Sequence, residues 1–267
     1  NTIAADLIPA ERKGEGIGYF GMFATIAQCA APAVALSILA NYGFKKVFIA
    51  SILLGFMALF SGSVLKLEAY DIKYPKNVRP AFFDRRAVKV SILMFFLAIS
   101  YSGIVSYIAL CGEERGISNM SPFFLAYAVG ILSSRLRVGK YYDKKGPKLI
   151  IILSYLALFI SDIILANAST ILLFSLGGII FGAGYGALHP TLLAMSVKDI
   201  ELERRGAVNG TVMSAFDLGV AIGSMFLGIV ASYGGYVSVY MTAALAPLVG
   251  LFVYLRWKRY EMIQENY

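Results

Sequence analysis

Two side chains stand out for the chemistry they could perform inside apolar surroundings. In "RGAVNGTVMSAFDLGVAIGSMFLG", residues 205 to 228, Asp217 is the single carboxylate. At 100° per residue it shares a small, polar stripe with Gly206, Gly210, Ser224 and Gly228, while Gly219 and Gly223 occupy the opposite side. Small residues on both sides predict a helix sandwiched between neighbours, with Asp217 shielded from lipid. Its position, about 16 Å along the helix from Gly206, falls close to the middle of a bilayer. An ionisable group at that depth can exchange a proton during a transport cycle or serve as a hydrogen-bonded tie between helices. His189, in "GAGYGALHPTLLA", is the second candidate. Imidazole titrates in the physiological range, so proton carrier and packing residue are both open readings. Pro190 beside it predicts a kink, because proline cannot donate a backbone hydrogen bond.

Polar groups of a different kind cluster in "AISYSGIVSY": Ser100, Tyr101, Ser102, Ser106 and Tyr107. With Tyr185 they could bind an amphipathic solute by stacking and hydrogen bonding. Interhelical hydrogen bonds without a substrate are the equal alternative. Asp162, in "FISDIILANAS", is expected at the outer interface of its helix. One histidine and two cysteines in separate segments leave no material for a metal site or a disulfide framework. No phosphate-binding loop is present and the embedded polar residues are scattered singly, so neither an ATP-driven pump nor an enzyme is expected. No cofactor is expected.

The elements that must position these residues follow from composition. The chain is 58% hydrophobic with 15% charged residues, against about 25% charged in a soluble domain. Apolar runs separated by charged clusters predict a helical membrane protein with eight spans, approximately 14–40, 46–65, 88–111, 117–138, 148–167, 170–196, 206–232 and 236–255. Span 117–138 is the weakest, because "PFFLAYAVGILSS" is short and Arg135 and Arg137 follow at once. Retaining it places all but Lys45, Lys46 and Arg115 of the 24 Lys and Arg residues on one side. That side is the cytoplasm by the positive-inside tendency, and it holds both chain ends. The net charge of +8 is therefore assigned to membrane topology rather than to nucleic acid.

An internal repeat organises the spans. An offset of 192 residues lays "ERKGEGIGYFGM" over "ERRGAVNGTVMS", pairing Glu11, Arg12, Gly14 and Gly18 with Glu203, Arg204, Gly206 and Gly210. Gly43 then meets Gly235 at the turn before the next span. The expected division is 1–65 as the last two helices of a first six-helix half, 66–87 as a cytoplasmic linker, and 88–267 as the second half. Four further spans are expected upstream of Asn1, making twelve in all, an arrangement typical of secondary transporters.

The stretch "GKYYDKKGPK" resembles the loop motif of the major facilitator superfamily, Gly-x-x-x-Asp-Arg/Lys-x-Gly followed by a basic residue. Its positions here are Gly139, Asp143, Lys144, Gly146 and Lys148. A second pattern, carried by the superfamily's antiporters in their fifth helix, is similar to Gly18, Ala27, Ala31, Pro32, Ala35 and Leu36, with alanine replacing glycine three times and leucine once. Its counterpart in the second half is Gly210, Gly219 and Gly223. The resemblance implies an all-α helical bundle of the twelve-helix drug:proton antiporter branch. It also implies that Asp143 latches the two halves, that spans 88–111 and 170–196 line the cavity, and that the helix of Asp162 is peripheral. The expected function is a proton-coupled exporter of drugs or small metabolites working by alternating access; the alternative is an importer or facilitator of a small solute. Expected partners are that solute, protons and the lipid bilayer, with the protein a monomer in a bacterial inner membrane.

Overall fold

The computed structural model describes residues 13–64, 83–198, 200–201 and 204–264. Most of the expected linker, the repeat positions Glu11, Arg12 and Glu203, both chain ends, and the side chain of Asp143 lie outside the described residues. The fold is all-α. In chain order the helices are α1 (Lys13–Val64), α2 (Val88–Glu114), α3 (Ser121–Lys145), α4 (Lys148–Asn167), α5 (Ile171–Val197), α6 (Arg205–Ala243) and α7 (Leu245–Gln264).

Four boundaries have a clear local cause. The Asp84 carboxylate accepts from the Arg86 backbone N–H at 3.0 Å, capping the short 3-10 turn Arg85–Ala87 that leads into α2. Thr170 Oγ1 accepts from Leu173 N at 3.3 Å and starts α5. Arg115 closes the far end of α4, donating to the carbonyls of Leu165 (3.3 Å), Ala166 (2.7 Å) and Ala168. Gly146, at φ 73°, ends α3 and donates to the Tyr142 carbonyl at 2.8 Å.

Two expected turns prove to be single-residue kinks. Gly43 (φ 75°, ψ 173°) interrupts α1, and Gly235 (φ 66°, ψ −176°) interrupts α6. Only glycine adopts this backbone conformation readily. The two positions paired by the 192-residue offset thus share one geometry. A correction applies to the loop motif. Helix α3 runs straight through Gly139 and Asp143 to Lys145, because no breaker precedes the Gly146–Pro147 pair. The motif is the last turns of a helix, followed by a one-residue cap.

By length and composition, five stretches among the described residues are long and apolar enough to cross a membrane: Ala30–Val64, Arg85–Glu114, Lys148–Asn167, Ile171–Val197 and Arg205–Arg259. Helix α3 is not among them, in keeping with its place as the weakest expected span. It is held by neighbours instead. α3 packs on α5 along its length and receives α1 on another side, where the Ser37 and Ser121 hydroxyls meet at 3.1 Å.

Glycines set the closest approaches. A Cβ at Gly219 would fall 2.6 Å from the Ala98 Cβ, and one at Gly223 would fall 2.5 Å from the Ser102 hydroxyl and 3.0 Å from the Ile99 Cα. These two glycines bring α6 against α2. Gly178, Gly182 and Gly186, four residues apart, do the same for α5 against Phe123, Tyr127 and Ile131 of α3. Apolar surface gains little from helix association in lipid, so close van der Waals packing must supply the attraction. The core between these helices includes Leu93, Leu97, Phe123, Ile131, Phe181 and Tyr155. Beyond Gly43, α1 is covered by nothing among the described residues; Phe48, Phe56 and Phe60 are all exposed.

Candidate functional site

Helix α5 repeats an aromatic ring every fourth residue: Phe181, Tyr185 and His189. Side chains four apart lie on one helical face, so the three form a ladder. Around that ladder the packing gathers Tyr101 from α2, Phe123 and Tyr127 from α3, and Phe216 from α6. The Tyr101 and Tyr185 rings stack with centroids 4.8 Å apart and planes 17° apart. Phe216 stands 5.6 Å from Tyr101 and meets His189 edge-on at 5.3 Å. His189 lies 5.5 Å from Tyr185, and Tyr127 lies 6.3 Å from Tyr185 and 6.2 Å from Phe181. The tyrosines and Phe216 are buried, while His189 keeps partial exposure. The buried rings turn their faces on one another, and His189 is the one edge of the cluster left partly open.

Of the residues expected at a solute cavity, Tyr101 and Tyr185 enter this cluster. The other four turn elsewhere. Ser100 Oγ donates to Asp162 Oδ2 at 2.8 Å. Ser102 donates to the Ile99 carbonyl at 2.7 Å and packs on Gly223. The Ser106 and Ser224 hydroxyls are 2.9 Å apart, and the Tyr107 hydroxyl donates to the Ser224 carbonyl. These three contacts fasten α2 to α6. Every one of these hydroxyls has a protein partner, across helices for Ser100, Ser106 and Tyr107 and within α2 for Ser102.

Asp217 is uncovered among the described residues. It follows Phe216 directly, but its side chain is exposed, as are Gly210 and the open space beside Gly206. Only the Gly219–Gly223 side of α6 is packed, so the sandwich expected for this helix has one layer among the described residues. Asp162, expected in the outer third of its helix, lies in the last third of α4, where it is fully buried and faces α2. Its helix presents that face inward because Ser154, Tyr155, Leu158, Ser161 and Leu165, at helical spacing, are buried with it.

The remaining motif positions are dispersed. Gly139 lies inside α3, Lys144 is exposed, and Lys148 opens α4. Pro32 is interior to α1, with Ala27 and Ala31 exposed and Gly18 in its first turns. One cluster was not foreseen. Asp84, almost fully buried, takes hydrogen bonds from Arg86 and, at 3.3 Å, from Arg204, while Arg86 also reaches Glu201 at 3.1 Å. The Asp84 backbone N–H donates to Thr211 Oγ1 at 3.1 Å. The Arg86 backbone N–H, reinforced by the Arg86 and Arg204 side chains, holds the Asp84 carboxyl below the usual carboxylate range. This network ties the start of α2 to the α5–α6 connection and the first turns of α6. Tyr127 and Phe216 were equally unforeseen. The four-residue spacing of Phe123–Tyr127 and of the α5 ladder was the available signal, but a lone Phe216 carried none.

Comparison with known proteins gives these features a family. A model described as Major Facilitator Superfamily matches residues 1–201 and, overlapping, 143–265. The chain is similar to an uncharacterized MFS-type transporter of Methanocaldococcus jannaschii, 27% identical over 271 residues, covering 96% of this chain and 69% of that protein. It is also similar to the staphylopine export protein of Staphylococcus aureus, 22% identical over 259 residues, covering 91% of this chain and 65% of that protein. A shorter likeness, 30% over 110 residues, joins it to a triacylglyceride transporter of Mycolicibacterium hassiacum, covering 41% of this chain and 21% of that protein. The chain spans about two-thirds of the length of the first two relatives. With its succession of apolar helices packed through glycine, it is an integral, multi-pass membrane protein and belongs to the major facilitator superfamily of secondary transporters.

Proposed function

We propose that this chain is part of a proton-coupled exporter of an amphipathic small molecule, with the solute seated against the aromatic cluster of Tyr101, Tyr127, Tyr185, His189 and Phe216. The carrying observation is the convergence of those rings from four helices, with His189 left partly exposed at their edge. The export direction draws support from the likeness to the staphylopine export protein. In this reading residues 1–65 and 88–267 belong to two six-helix halves that rock about a midplane site, with the basic side in the cytoplasm. The exposed Asp217 face of α6 then meets the opposing half, and Asp217 and His189 are the groups through which a proton biases the cycle. One proton crossing a 100 mV potential supplies about 2.3 kcal/mol, enough to drive a large concentration ratio.

The test uses inverted vesicles carrying the full-length gene product, an imposed proton gradient and a panel of amphipathic solutes. Solute-dependent loss of the gradient in wild type is the expected outcome. Tyr185→Ala raises the half-saturating concentration by about five- to tenfold, the worth of one ring stack, while Tyr185→Phe stays near wild type. Asp217→Asn abolishing gradient loss places the carboxylate in the proton path. Movement of solute in the opposite direction overturns export; the alanines at positions 27 and 31, where the antiporter pattern has glycine, would then mark an importer or facilitator.

A further inference from the structure

Among the described residues, Asp162 is the only carboxylate that is fully buried within a membrane-crossing helix. Its Oδ2 accepts from Ser100 Oγ at 2.8 Å, and Ser100 is equally buried. Its Oδ1 is buried with no hydrogen-bond partner among the described residues. The polar groups around it are already committed. On its own helix Ser161 donates to the Gly177 carbonyl at 2.8 Å, and Tyr155, two turns earlier, donates to the Leu93 carbonyl at 2.8 Å. From α6, Tyr240 donates to the Gly103 carbonyl at 3.0 Å. At the outer end of α2, Arg115 is bonded to carbonyls of α4 and Cys111 is a buried thiol. No cation is bonded to Asp162 among the described residues.

A bare carboxylate with one hydroxyl partner is a costly way to tie two helices, because the second oxygen forfeits its hydration and gains nothing. Asparagine or threonine would make the tie without that cost. The unpartnered oxygen therefore needs an occupant. A hard cation gathers about six oxygens, and only the side-chain oxygens of Asp162 and Ser100 meet here, so the occupant that fits is a proton.

We propose that Asp162 is a proton-binding site of the transporter, linked to the aromatic cluster through Ser100 and Tyr101. The proton bonds to Oδ1 while Ser100 keeps its bond to Oδ2. Ser100 precedes Tyr101, whose ring stacks on Tyr185, so any change in the Ser100–Asp162 bond acts on α2 next to the residue that carries the stack. Asp162 is a positioning residue in this scheme. The proposal rests on the proton-coupled reading of function for its role in transport, though not for proton binding itself.

The test uses the purified full-length transporter in liposomes and infrared difference spectra recorded across a pH step. Wild type is expected to show a carboxylic C=O band that vanishes in Asp162→Asn, returns in Asp162→Glu and shifts in Ser100→Ala. A wild-type band that persists undiminished in Asp162→Asn overturns the proposal. If that variant does not fold, an unshifted band in Ser100→Ala overturns it instead. In transport, Asp162→Asn is expected to reduce gradient-driven accumulation at least about tenfold while solute counterflow, which moves no net proton, continues. Gradient-driven accumulation unchanged in Asp162→Asn removes the coupling role and leaves the proton-coupled function standing. A wild type with the Asp162 band but no gradient-driven transport does the reverse.

Discussion

At the scale of single residues, Asp84 gives the most direct handle on pH. Its folded-state carboxyl is held below the ordinary range by the Arg86 backbone N–H and by the Arg86 and Arg204 guanidinium groups, and Glu201 is held low by its own backbone N–H and by Arg86. A depressed carboxyl contributes stability that is fully present above its unfolded value, about 3.9 for Asp and 4.3 for Glu. That contribution is lost as pH falls through the lower folded value. Thermal melting of detergent-purified protein should therefore show Asp84→Asn below wild type at neutral pH, with the gap closing as the buffer is taken below about pH 4. A gap independent of pH would mean that the network acts only through shape. The aromatic residues behave differently. Tyr101, Tyr185 and His189 could be singled out by type from the chain alone. Phe216 and Tyr127 could not, since one aromatic ring in an apolar helix looks like any other until its neighbours are known.

At the scale of elements, glycine position decides which helices can touch. Gly219 and Gly223 lie against α2 with no room for a side chain, whereas Gly210 on the same helix has nothing within 4 Å. Gly223→Leu should cost about 1–3 kcal/mol or prevent folding, because the Ile99 backbone cannot yield as a flexible side chain would. Gly210→Leu in this chain should leave the melting temperature close to wild type. Equal losses at the two positions would show that α6 has a second packed side. The same logic explains α3. Its polar residues defeat a reading by hydropathy alone, yet α1 on one side and α5 on another hold it in place. Its continuation through Gly139 and Asp143 was not legible as helix, because glycine and charge together read as a loop until the following Gly146–Pro147 is recognised as the actual stop.

At the scale of the whole molecule, the charge bias makes a topological prediction. Lys45 and Lys46 follow the Gly43 kink, and Lys144 and Lys145 end α3. In intact cells a membrane-impermeant maleimide should label a cysteine introduced at Lys45 and not one introduced at Lys144, with the pattern reversed in inverted vesicles. Labelling of both from one side would remove the alternation of spans on which the orientation depends. Among the described residues, the apolar surface of α1 beyond Gly43 and the Asp217 face of α6 are both exposed.

Family, helix content and repeat were determined by sequence alone, because each depends on local composition or on a register that survives without coordinates. Apolar runs of bilayer length, the Gly-x-x-x-Asp-Lys-x-Gly pattern and the pairing of Gly43 with Gly235 need no knowledge of which helix meets which. Direction was decided only by tertiary structure. A helical period shows which residues share a face but not what that face meets, so the burial of Asp162 emerged only once α4 turned inward toward Ser100, and the packed side of α6 only once Gly219 and Gly223 met α2. The aromatic cluster has the same origin. Its rings come from residues 101 to 216 on four helices, and only close packing through glycine brings them within stacking distance.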